Sequence, residues 1–150
     1  MAIRQNLYRL NPYLTATFDP LYIPIPANMT VLICEDEEIL LTTLEFRLLR
    51  QGFTVLKAED GQRAKEIVTK KMPDFIIADV MMPHVTGLEL IQYVRQELHS
   101  DVPVLVISAL DQDETVLEAF RVGASDFITK PFRPYELILR IRKIMQETSS

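Results

Sequence analysis

At 150 residues the chain has one domain's worth of length, enough for a full hydrophobic core. Hydrophobic residues at 48% and charged ones at 25% are the balance of a soluble globular domain, and a net charge of −5 argues against a surface built to hold nucleic-acid phosphates. One cysteine excludes an internal disulfide and a cysteine zinc site, no uninterrupted apolar stretch approaches the ~20 residues that span a bilayer, and the amino terminus shows no secretory signal. The expectation is a cytoplasmic protein that binds neither membrane nor nucleic acid through this domain.

The first 28 residues stand apart. They hold four of the nine prolines (Pro12, Pro20, Pro24, Pro26) and a formal charge of +1, against −6 for the rest. Proline removes backbone donors and restricts the residue before it, so Tyr22-Ile23-Pro24-Ile25-Pro26 reads as extended or polyproline-like. The segment 1–28 fits a leader, an interdomain linker or a docking arm, and its residues do not choose among these. The folded domain is expected over 29–148.

From Thr30 onward strand and helix patterns alternate. Strands are predicted at 31–34, 53–56, 75–78, 104–107 and 126–128. Three of them are continuous apolar runs, which suits parallel strands buried on both faces. Between them lie helical stripes: Leu40, Leu44 and Leu48; Ala64, Ile67 and Val68; Leu90, Val94 and Leu98; Val116 and Phe120. Leu137, Ile141, Ile144 and Met145 form the last, behind Pro134 in a first-turn position. Gly52 and Gly123 follow helical patterns, where a left-handed cap is wanted, and Gly61 and Gly87 lie at helix starts. Five βα units with right-handed crossovers make a doubly wound α/β fold with a five-stranded parallel sheet and five helices. Cys34, inside an apolar run, is expected to be a small buried side chain.

The ends of these strands carry the chemistry. Glu35 and Asp36 follow the first run, Asp79 the third, Ser108 the fourth and Lys130 the fifth. Open α/β sheets place ligand sites at this carboxyl edge. Favourable charge at a helix amino terminus is enough to explain Glu37 and Glu38. It is less natural for Glu35 and Asp36, which repel unless a cation joins them, and magnesium takes a few carboxylates, a carbonyl and waters. Taken singly, Asp79, Ser108 and Lys130 each have an ordinary turn or solvent role. The specific signal is their conjunction with the acidic pair, which points to a metal ion and a phosphoryl group.

These segments, VLICEDE (31–37), DFIIADVMMPHVTGLEL (74–90), PVLVISAL (103–110) and GASDFITKPF (123–132), resemble the receiver domains of two-component response regulators. The spacings, 29 residues from Asp79 to Ser108 and 22 from Ser108 to Lys130, are similar too. The resemblance implies a flavodoxin-like strand order, 2-1-3-4-5. It also implies Asp79 as phosphoacceptor, Asp36 as the principal Mg²⁺ ligand with Asp79 and the Met81 backbone carbonyl, and Glu35 supporting the site through water. Ser108 would bond the phosphoryl group, Lys130 neutralise it, and Phe127 act as the aromatic switch. The implied partner is a histidine kinase or phosphotransfer protein, and the implied output a changed face on helix four, strand five and helix five. Asp126, Glu136 and Arg140 match charged positions used in homodimers of regulators with winged-helix outputs, while Val116 stands where a basic residue is expected. On this reading the domain is a switch that promotes its own phosphorylation and dephosphorylation rather than an enzyme.

Three rivals fit less well. A haloacid-dehalogenase-like phosphatase wants a second aspartate two positions after the nucleophile, where this chain has Met81. A flavin carrier would need a hydroxyl-rich phosphate loop where Glu35 and Asp36 stand. A receiver-like scaffold that is not phosphorylated is disfavoured because every functional position is filled.

Overall fold

A computed structural model describes residue 26 and residues 28–148, so most of the 1–28 segment lies outside the described residues. Strands β1 (Thr30–Cys34), β2 (Thr54–Ala58), β3 (Phe75–Asp79), β4 (Val104–Ser108) and β5 (Asp126–Thr129) alternate with helices α1 (Glu38–Arg50), α2 (Gly61–Lys70), α3 (Gly87–Gln96), α4 (Asp113–Val122) and α5 (Pro134–Thr148). All four pairings are parallel, and the order is β2-β1-β3-β4-β5, as the resemblance implies.

Strand side chains point alternately to the two sheet faces, and each face has its own core. Val31, Ile33, Phe75, Ile77, Leu105 and Ile107 pack with α1 and α5. Leu32, Cys34, Ile76, Ala78, Val104 and Val106 pack with α2, α3 and α4. Both β3 and β4 are buried along their whole length, which is why they read as unbroken apolar runs. At the edge, β2 is mostly exposed. It begins one residue later than its apolar pattern suggests, and Phe53, just before it, is buried in the α1–α5 core.

Three stripes need correction. In α1 the buried side chains are Leu41, Leu44 and Leu48, and Leu40 packs only at the margin of the core. A separation of seven, Leu41 to Leu48, lies under one sheet face as well as the i, i+4, i+8 spacing does. Leu98 lies beyond the end of α3. In α4 the buried residue is Ala119, and Phe120 is 46% exposed, because the helix settles on its smallest residue. Gly52 and Gly123 adopt φ values of +95° and +114°, as helix ends of this kind require.

Candidate functional site

Parallel strands in a doubly wound sheet all end on one edge, so sequence-distant residues meet there. Asp79, the last residue of β3, is 3% exposed. Its Oδ1 accepts from the Met81 N–H at 2.9 Å, and its Oδ2 lies 2.5 Å from Lys130 Nζ. Glu35, directly after β1, is fully buried. Its Oε1 accepts from the Glu37 N–H at 3.1 Å, and its Oε2 lies 2.8 Å from the same Lys130 ammonium. That second contact is an ion pair whose alignment is too poor for a well-formed hydrogen bond.

Electrostatics follow from this burial. Desolvation pushes the Glu35 carboxyl up to about 7; Lys130 and the Glu37 N–H oppose the rise, and the charge on Asp79 adds to it. For Lys130 burial acts downward, but the bonds to Asp79 and Glu35 together outweigh it and leave the ammonium above its ordinary value. Cys34 is buried in the α2–α3–α4 core, and desolvation raises its thiol far out of the reactive range.

Carboxylate oxygens of Glu35, Asp36 and Asp79 come within 4.8 Å of one another, with Asp36 the exposed member. Three hard oxygen donors, two buried and one open to solvent, fit a small divalent cation that keeps several waters. Such an ion would be held chiefly by Asp36 and Asp79. Lys130 and the Glu37 amide each engage one Glu35 oxygen, and a carboxylate keeps further lone pairs that can meet a water beside such an ion.

Ser108 ends β4 fully buried, and its Oγ accepts from the Leu110 N–H at 2.9 Å. Its carbonyl takes the Lys130 N–H at 2.7 Å, which ties the β4 and β5 ends together. The Lys130–Pro131 peptide is cis. Phe127 is half-buried against the α2–α3–α4 core, and the Met81 side chain is 58% exposed. Asp126, Glu136 and Arg140 lie away from this centre and bond within the chain. Arg140 donates to both Asp126 oxygens at 3.1 and 2.9 Å and to Glu136 at 3.1 Å. His84 and His99, on loops, both have positive φ.

A family model for the response regulator receiver domain matches residues 31–142. The chain belongs to this family. Among curated relatives it is 34% identical over 120 residues to the phosphate regulon transcriptional regulatory protein PhoB of Pseudomonas aeruginosa, covering 79% of this chain and 52% of that protein. It is likewise 34% identical over 121 residues to the alkaline phosphatase synthesis transcriptional regulatory protein PhoP of Bacillus subtilis, covering 81% and 50%. The chain thus spans about half the length of the curated relatives it matches. The receiver domain of the Francisella response regulator 1452 superposes with a TM-score of 0.76 at 30% identity, covering 81% of this chain and 99% of that one.

Membership makes this a signalling domain of two-component systems, and the phosphatase alternative is not favoured. Among the described residues no helix is long and apolar enough to cross a membrane. What sequence reasoning missed is the double engagement of Lys130. It expected one lysine for the phosphoryl group and finds one clamping two carboxylates.

Proposed function

We propose that this receiver domain is a phosphorylation-driven switch that takes a phosphoryl group from a histidine kinase or phosphotransfer protein onto Asp79, with Mg²⁺ as cofactor. The observation that carries the reading is the convergence of the buried Asp79 and Glu35 with the solvent-open Asp36 on a single corner, with Lys130 against it. In the transfer, an Asp79 carboxylate oxygen forms the bond to phosphorus as the phosphorus–nitrogen bond of the donor phosphohistidine breaks. The imidazole leaves with the electron pair and takes up a proton. Bound magnesium supplies charge neutralisation of the phosphoryl oxygens. The chain's own residues do the rest: Lys130 offers its ammonium, the Met81 amide holds the orientation of Asp79, and burial excludes water. Phosphoryl transfer asks mainly for such positioning and charge balance.

The Ser108 hydroxyl accepts from Leu110, and among the described residues its proton is uncommitted. Moving toward the phosphoryl oxygens, it would vacate space that Phe127, now half-buried, turns in to fill. The altered face is that of α4, β5 and α5. The reading extends to a homodimer through Asp126, Glu136 and Arg140 only if Arg140 exchanges its intrachain carboxylates for those of a second copy. Light scattering on the beryllofluoride form reads this directly, and a monomer at high concentration ends that part.

Mass spectrometry after acetyl phosphate with magnesium tests the core of the proposal. One phosphoryl mass is expected on the parent, none on Asp79→Asn because an amide is a poor nucleophile, and a strongly reduced yield on Asp36→Ala through loss of a charged ligand. Normal phosphorylation of Asp36→Ala would refute the metal assignment. Continuous phosphate release with no accumulated adduct would favour the phosphatase.

A further inference from the structure

The loop between β3 and α3, residues 80–86, carries the Met81 carbonyl and the amide that orients Asp79. A loop in that position must be stiff to present an oxygen to a metal. Part of the stiffness is internal: Val85 N–H donates to the Pro83 carbonyl at 2.8 Å, and Gly87 N–H to the Val80 carbonyl at 3.1 Å. Met82 anchors in the α2–α3–α4 core with 7% exposure. The remainder comes from outside the loop.

Gly61, the first residue of α2, is buried. A Cβ built on it would stand 1.8 Å from the Val85 carbonyl oxygen, 2.5 Å from the Val85 carbonyl carbon and 2.6 Å from its Cβ. Heavy atoms do not approach so closely, and the neighbours that would have to give are mostly backbone. The φ of Gly61 lies outside the left-handed region, so what the position demands is space. In the opposite direction, the Gly61 N–H donates to the Pro83 carbonyl at 3.3 Å. The turn before α2 is itself fixed: Asp60 caps the helix by accepting from Arg63 N–H at 2.8 Å, and Ala58 accepts from the Glu35 N–H at 3.0 Å. The start of α2 therefore lies flush against the outer half of the acceptor loop, with no room for one methyl group between them.

We propose that Gly61 is a positioning residue for the metal-binding loop: the side-chain-free start of α2 lets residues 83–85 seat against it, and that seat holds the Met81 carbonyl and Asp79 in register with Asp36. The inference rests on the magnesium reading above and extends it to a residue outside the site. Displacement of a group that orients a metal ligand typically weakens metal affinity about 10- to 100-fold.

Magnesium titrated alone into the full chain by calorimetry is the test, with thermal unfolding of each variant measured alongside. Gly61→Ala is expected to bind Mg²⁺ about 10-fold or more weakly. Gly52→Ala is the control, since it too alters a helix boundary and strains a φ of +95° but meets nothing within 4 Å. It is expected to lose stability and keep the parental affinity. Equal affinity of Gly61→Ala and parent overturns the inference, as does an equal loss in both variants. Should Gly61→Ala fail to fold, Asp60→Ala is read instead: it removes the cap that fixes the start of α2 and so loosens the seat without adding an atom to it. Weakened binding supports the seat and parental binding overturns it. A parent that binds no Mg²⁺ at all would instead end the reading of the acidic cluster itself.

Discussion

Helices α3 and α4 are each ten residues long and lie on the same face of the sheet, yet they are attached very differently. Helix α3 buries Gly87, Leu90, Ile91 and Val94, and Thr86 caps it by accepting from the Glu89 N–H at 3.2 Å. Helix α4 buries only Ala119, begins without a side-chain cap, and leaves Leu117 68% and Phe120 46% exposed. Full burial of one large aliphatic side chain stabilises by about 1.5–3 kcal/mol. On that scale α3 holds several such increments and α4 almost none. The helix after β3 is thus firmly packed, while the one after β4 is held by few buried side chains.

The largest expected effect breaks this comparison at its base. Leu90→Ala should destabilise the domain by about 2–5 kcal/mol through lost transfer energy and a cavity, whereas Leu117→Ala should stay within about 0.5 kcal/mol. Urea unfolding measures both, and similar costs would mean that α4 is packed as firmly as α3.

A smaller effect lies in the strap between the two helices. Arg95 of α3 donates from Nε and Nη2 to the Gly123 carbonyl at 3.2 and 2.8 Å, and from Nη1 to the Ser100 carbonyl at 2.8 Å. Arg95→Ala removes bonds to part-buried carbonyls that water can partly replace, at roughly 0.5–1.5 kcal/mol each. The expectation is faster amide hydrogen exchange in α4 with α3 unchanged. Uniform acceleration across both would show that the strap is global rather than local to α4.

A third effect concerns the fixed side of the site and depends on pH. The Glu35 carboxyl rises to about 7 in the folded protein, from near 4.3 in an unfolded chain. Between those values the folded state binds the extra proton, so this group's contribution to stability is present at low pH and is lost as pH rises toward 7. Without magnesium, the stability of the parent relative to Glu35→Gln should therefore fall across that window and level off above it. A difference that is flat with pH would mean that Lys130 compensates the burial of Glu35 fully.

Much of this architecture was legible because it rests on local pattern. Continuous runs such as Phe75–Ala78 mark strands buried on both faces, and a charged residue after such a run can only stand at the sheet edge. Asp79, Glu35, Ser108 and Lys130 were found that way. The α4 stripe failed because periodicity locates apolar residues without saying which of them meet the sheet. Val116 and Phe120 are larger than Ala119, but only the small residue fits there. Leu40 and Leu41 are adjacent, and the choice between them depends on how α1 rotates against α5. The grip of Lys130 on Glu35 and the fit of Gly61 against Val85 join segments remote in sequence. No spacing rule encodes either contact.

One consequence concerns traffic around the molecule. Thr30, the first residue of β1, hydrogen-bonds to Asp74 just before β3, and Arg142 in the second half of α5 reaches Gln51 at the end of α1. The entrance and exit of the domain therefore share the floor of the sheet, while the acidic corner occupies the roof, about 16 Å away for a five-residue strand. The described chain therefore enters β1 and leaves α5 at the edge of the sheet opposite the acidic corner. Between the two edges the described chain offers α5, which runs from the roof to the floor, and the loosely moored α4 beside it.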